Sequence, residues 1–229
     1  MDHRIISSRR GVLTVVTATL ASGSLAACAS SAGDRRTSLQ TAGAVAADDT
    51  VMIVRHAEKP EGGGAPYGVT AQGDVDAESL TVTGWSRAGA LVGLFDPFDV
   101  NGPIEPRAGL QRPERLVAAD PADGSARPVE TLTPLSERLQ ISIESSWPKK
   151  SAATVAAALR SSRGATLVAW QHQDIPAIAE ALGRSEPAVP SKWPGDRFDV
   201  VWVFRRRGSG WVFSQVPQLL LAGDRDTTI

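Results

Sequence analysis

Apolar residues in this chain gather into short runs separated by polar, glycine-rich segments. Val51-Met52-Ile53-Val54 is too brief for a core helix and rich in β-branched side chains, so it reads as a buried strand. Leu116-Val117-Ala118-Ala119 and Ala165 to Trp170 read the same way, and Ile141-Ser142-Ile143 predicts a further short strand. Val200 to Phe204 and Trp211 to Phe213 flank Arg205-Arg206-Arg207-Gly208-Ser209-Gly210, a hairpin signal with the three arginines in a solvated turn. Helical spacing appears between the runs. Thr81 can cap a helix carrying Trp85, Ala88, Leu91, Val92 and Phe95, which Asp96-Pro97 stops. Pro128 suits the first turn of another, continuing through Leu135 and Leu139 with Arg127 at its N-terminus. Thr154 to Leu159 and residues 175–182 supply two more. This alternation predicts an α/β fold: a mostly parallel sheet covered on both faces, with an antiparallel edge hairpin near the C-terminus.

Before the first strand the pattern changes. Arg4, Arg9 and Arg10 precede the mostly apolar stretch Gly11 to Leu20, and Leu25-Ala26-Ala27-Cys28 then resembles a bacterial lipoprotein signal cleaved before a lipid-bearing cysteine. Ser8-Arg9-Arg10-Gly11-Val12-Leu13 also resembles a twin-arginine export signal. The reading divides the chain into a signal peptide at 1–27, a lipid-anchored tether at 28–49 and a globular domain at 50–229. It places the domain outside the cytoplasm, facing the periplasm or cell exterior. A tether of this length and composition spans about 25 Å as a random coil.

The 229 residues suffice for one domain with a sizeable core. A formal charge of -1 offers no bulk attraction for nucleic acid, and a single cysteine excludes both an intramolecular disulfide and a cysteine metal cluster. Removal of the signal would take His3 with it, leaving only His56 and His172 as histidines.

Both follow the end of a predicted strand: Arg55-His56 after the first, Gln171-His172 after Ala165–Trp170. In open α/β sheets, ligands bind just outside the carboxyl ends of the strands. Arginine offers a planar fork of donors for phosphate, and histidine is a nucleophile able to work near neutral pH. Arg127 would stand where unpaired helix N–H groups already favour an anion. The loop Glu61 to Gly68 has neither GxGxxG nor a P-loop ending and reads as a mobile rim. Arginines beside both histidines would repel a cation, which argues against a two-histidine metal site.

Arg55-His56-Ala57-Glu58, Leu80-Thr81-x-x-Gly84, Arg127-x-x-x-Thr131 and Trp170-Gln171-His172, in this order, resemble the histidine phosphatase (phosphoglycerate mutase-like) superfamily over residues 50–223. The resemblance implies a three-layer α/β/α sandwich and phosphoryl transfer without a cofactor. By position, His56 would be the nucleophile, with Arg55, Arg127 and His172 forming the phosphate pocket. The implied activity is hydrolysis of a phosphomonoester or related compound, in a small molecule or phosphoprotein, through a phosphohistidine. The general acid stays open. One branch of the superfamily carries an acid directly after the second histidine, where this chain has Gln173; Glu58, Glu78 and Asp174 are the candidates. Glu130, beside Thr131, reads as a solvated helix residue. Without a proton donor, the alternative is a lipoprotein that binds phosphorylated ligands without turning them over.

Overall fold

β1, Thr50–Arg55, is buried along its whole length and organises the sheet. The computed structural model describes residues 49–229, so the signal peptide, Cys28 and nearly all of the tether lie outside the described residues. After β1 come α1 (Val82–Phe95), a small ladder of β2 (Phe98–Asp99) with β3 (Gly102–Pro103), β4 (Arg115–Ala119), a 3-10 turn at Pro121–Asp123, and α2 (Arg127–Leu139). Then follow β5 (Ile143–Trp147), α3 (Ala152–Ser161), β6 (Ala165–Trp170), α4 (Ile175–Leu182), β7 (Ser185–Glu186), β8 (Val200–Arg207) and β9 (Gly210–Pro217).

The seven-stranded sheet has the order β5-β4-β6-β1-β8-β9-β7. β5, β4, β6 and β1 run parallel, β8 is antiparallel to β1 and β9, and β7 pairs parallel with β9. Side chains alternate across it. Val51 and Ile53 face Val155, Leu159, Ile175 and Ile178 of α3 and α4. Met52 and Val54 face Leu91, Phe95, Leu132 and Leu135 of α1 and α2. This is a three-layer α/β/α sandwich. Burying each such side chain stabilises the fold by about 1.5–3 kcal/mol.

The layering follows from handedness. Crossovers between parallel strands are right-handed, so when the chain reverses direction between β5 and β6, its helices must move to the other face. Neighbouring strands β1 and β6 consequently send their exits to opposite faces, through α1 and α4. That divergence opens a crevice at their carboxyl ends.

Two sequence expectations shift. β5 is Ile143–Trp147 rather than 141–143, because the chain leaves α2 through Gln140 in a left-handed conformation (φ 57°) and pairs only from Ile143. As an edge strand with Ile143, Ser145 and Trp147 half-buried, it carries no apolar run to betray it. The arginines are not a solvated turn: β8 extends through Arg207, and only Gly208-Ser209 connects it to β9. Arg206 stacks on Trp211 at 4.4 Å and pairs with Asp49 at 2.9 Å.

Candidate active site

Register brings the two histidines together. Arg55 pairs with Trp170 across β1 and β6, and the His56 amide donates to the Trp170 carbonyl at 2.9 Å. His56 and Gln171-His172 thus leave adjacent strands side by side. They share a cavity of about 360 Å³ with Lys59, Glu78, Ser125, Arg127, Lys149, Lys150, Gln173 and Asp174.

His56 is buried, and its Nδ1 lies 2.8 Å from the Ala57 carbonyl. A carbonyl only accepts, so Nδ1 carries the proton and Nε2 keeps its lone pair. Burial first, then the charges of Arg55 and Arg127 and neighbouring His172, push the imidazole down to about 3. It is neutral at any physiological pH. His172 is pushed down to about 4 by burial, Arg55 and Lys59, and its Nδ1 is buried with no hydrogen-bond partner among the described residues.

The backbone around His56 is held from three sides. The Ala57 amide donates to Thr131 Oγ1 at 2.9 Å, and that hydroxyl donates to the Arg127 carbonyl at 2.7 Å. The Glu58 carbonyl accepts from the Thr81 amide at 3.0 Å. Gly84 approaches the same carbonyl so closely that a Cβ there would stand 2.4 Å from it. Thr81 caps α1 by accepting from the Gly84 amide at 3.1 Å, joining helix start and strand exit in one cluster.

Arg127 begins α2 and lines the cavity. Its Nε donates to the Ser79 carbonyl at 3.3 Å, another nitrogen donates to the Ala77 carbonyl, and Glu78 lies 3.4 Å away. From the same helix, Glu130 accepts from Ser79 Oγ at 2.7 Å and the Leu80 amide at 2.8 Å. Glu130 is therefore no solvated surface residue, and burial pushes its carboxyl up. Residues 76–80 are clamped to α2 from both ends, which sets Glu78 at the cavity mouth.

Arg55 is buried but does not line the cavity. Strand alternation turns it toward the face of Trp170 and Trp193. There it lies 3.7 Å over the Phe198 ring and donates to the Gly195 carbonyl, while its Nε has no partner among the described residues. Burial lowers its pKa to about 10, which still leaves it charged, and both histidines feel that charge. Glu58 is drawn away too. Both its oxygens accept from Arg87, at distances from 2.7 to 3.1 Å, and Arg87 also pairs with Asp224 at 2.7 Å. That carboxylate is committed to structure rather than free to give a proton. Asp174 sits before α4 without a side-chain capping bond and does line the cavity.

The sequence reading had not singled out Lys59, Ser125, Lys149 or Lys150. Lys149 and Lys150 occupy the carboxyl end of β5, the position where this architecture puts ligand contacts; with the strand read two residues early, they fell beyond notice. Lys150 adopts a left-handed conformation (φ 63°) that costs a non-glycine residue about 1–2 kcal/mol. Among the described residues, no group of three or more His, Cys, Asp and Glu side chains could hold a metal ion.

No protein-family model matches the chain, and no curated protein matches it. Among solved structures it is similar to the protein histidine phosphatase SixA complexed with tungstate, at 18% identity and a TM-score of 0.44 over 74% of this chain and 97% of that one. A putative phosphohistidine phosphatase SixA from Agrobacterium tumefaciens matches at 14% identity and 0.43, over 72% and 96%. A mycobacterial glucosyl-3-phosphoglycerate phosphatase matches at 14% identity and 0.43, over 74% and 97%.

Proposed function

We propose that this chain is a phosphatase that transfers a phosphoryl group from its substrate to Nε2 of His56 and then to water. The observation that carries the reading is His56 itself: a buried, neutral imidazole, its Nδ1 proton tied to the Ala57 carbonyl, at the edge of a cavity it shares with Arg127 and His172. Phosphoryl transfer asks the protein mainly for positioning and charge stabilisation. Arg127 offers its guanidinium to the equatorial oxygens, Arg55 adds charge from behind, and the neutral His172 donates a hydrogen bond as the anion arrives. The nucleophile attacks in line, and the phosphohistidine breaks down by the reverse geometry with water in place of the leaving group.

The departing alkoxide takes its proton from Glu78, a carboxyl on the cavity lining beside Arg127; Asp174 is the other carboxyl on that lining. General acid catalysis contributes about 10²–10⁴ in rate when the leaving group is poor. Glu78→Gln should therefore slow alkyl phosphates far more than p-nitrophenyl phosphate, and Asp174→Asn should not. The reverse ranking would move the role to Asp174.

The membrane tether belongs to the same proposal. Cleavage before Cys28 and lipidation there would hold the domain on a membrane facing the periplasm or cell exterior. A chain labelled by radioactive palmitate, with the label lost in Cys28→Ala, would support this; unlabelled wild type would remove it. For the activity, a panel of phosphorylated metabolites and phosphopeptides assayed against wild type and His56→Ala is the test. Turnover abolished in the variant is expected. Tight phosphate binding with no turnover in wild type would favour the non-catalytic binder.

A further inference from the structure

We infer that the cavity takes a polyanionic substrate: a phosphoryl compound with a second phosphate or carboxylate adjoining the group transferred to His56. This deepens the phosphatase reading and rests on it for the identity of the reacting phosphate. The cavity is larger than one phosphoryl group requires. At about 30 Å³ per water, 360 Å³ corresponds to roughly a dozen water volumes, whereas a phosphoryl group has five heavy atoms.

Its charge also exceeds what one phosphate requires. Arg127 already supplies one cation beside the two neutral histidines, with Arg55 adding a second from behind. Lys59, Lys149 and Lys150 remain, on a surface whose only carboxylates among the described residues are Glu78 and Asp174. Glu78 faces Arg127 at 3.4 Å, and none of the three lysines has an ion pair among the described residues. Lys59 stands close enough to His172 to lower its pKa. Lys149 is fixed by its backbone, its amide donating to Asp123 at 2.8 Å. Its ammonium lies along the 120–126 loop, 3.7 Å from where a Cβ on Gly124 would be. A second anion beside the reacting phosphate would meet ammonium groups on the cavity lining. A neutral leaving group would leave them unmatched.

The test compares pyrophosphate and 2-phosphoglycolate, which carry a second anion, with phenyl phosphate, which does not. Wild type and the Lys149→Gln/Lys150→Gln and Lys59→Gln variants are assayed. The ratio of kcat/KM for pyrophosphate to that for phenyl phosphate should exceed about 10 in wild type and fall roughly 5-fold per lysine removed, mainly through KM. A ratio near one in wild type, or equal losses on all three substrates, would overturn the inference. Calorimetry of pyrophosphate and inorganic phosphate binding separates this from the fate of the phosphatase reading. If nothing is turned over, that reading fails, while tighter binding of pyrophosphate, lost in the lysine variants, still upholds the second-anion subsite. Equal affinity for the two anions would remove it.

Discussion

Replacing Arg87 with methionine takes away the cation between two carboxylates while keeping much of the side-chain volume. Arg87 is 4% exposed, and its donors reach both oxygens of Glu58, both of Asp224 and the amide oxygen of Gln218. Asp224 is itself only 5% exposed. Breaking a buried pair in this way costs about 3–5 kcal/mol, because the stranded charge has neither partner nor water. Against a total of about 5–15 kcal/mol that is a large fraction, and at 2–4 °C per kcal/mol it predicts a Tm lowered by about 10 °C. pH gives an independent check. Despite burial, which raises it, Asp224 is held below its ordinary value by Arg87 and by backbone amides. Its stabilising contribution is therefore present above the unfolded value near 4 and is lost as pH falls through the folded one. The gap between wild type and Arg87→Met should be widest near neutrality and close toward pH 3. Urea denaturation of the full-length chain, followed by tryptophan fluorescence from pH 3 to 7, measures it. A gap under 1 kcal/mol at pH 7, or one that does not narrow in acid, would refute the reasoning.

Other changes test the surroundings of His56. Gly84→Ala drives a Cβ into the Glu58 carbonyl and should cost about 1–3 kcal/mol by overpacking, with turnover falling at least tenfold. Gly89→Ala, in open space on the same helix, should be neutral or stabilise by up to about 1 kcal/mol in the same melts. Thr131→Val strands the buried Ala57 amide, at a cost of about 1–3 kcal/mol; Thr131→Ser should restore most of both stability and kcat. In an NMR titration, His56 and His172 should stay neutral from pH 8 down to about 5, because their pKa values lie near 3 and 4. A folded pKa below the unfolded 6.5 means that stability from these groups is present above pH 6.5 and declines as pH falls. A titration midpoint near 6.5 for His56 would contradict its burial among cations.

Much of this architecture could be read from local pattern. The runs at 51–54, 116–119 and 165–170 are buried on both faces, so each announces a strand without its partners. Thr81, Asp96-Pro97 and Pro128 mark helix ends through backbone chemistry that belongs to single residues. The candidate site was legible to the same depth, since His56 and His172 follow those runs and Arg127 precedes Pro128. What escaped depends on contacts distant in sequence. The committed partner of Glu58 is Arg87, 29 residues on, and those of Glu130 are the Ser79 hydroxyl and the Leu80 amide, about 50 residues back. Arg55 finds its seat 140 residues downstream, at Gly195 and Phe198. Edge strand β5 hid Lys149 and Lys150 because half-burial demands no apolar run.

The most direct measurement is rapid acid-free quenching of wild type with a ³²P-labelled substrate, followed by peptide mapping. A base-stable, acid-labile label is expected on the peptide containing His56, formed within one turnover, chased by unlabelled substrate and missing in His56→Asn. Turnover without any phosphoenzyme, or a label carried by another residue, would contradict it.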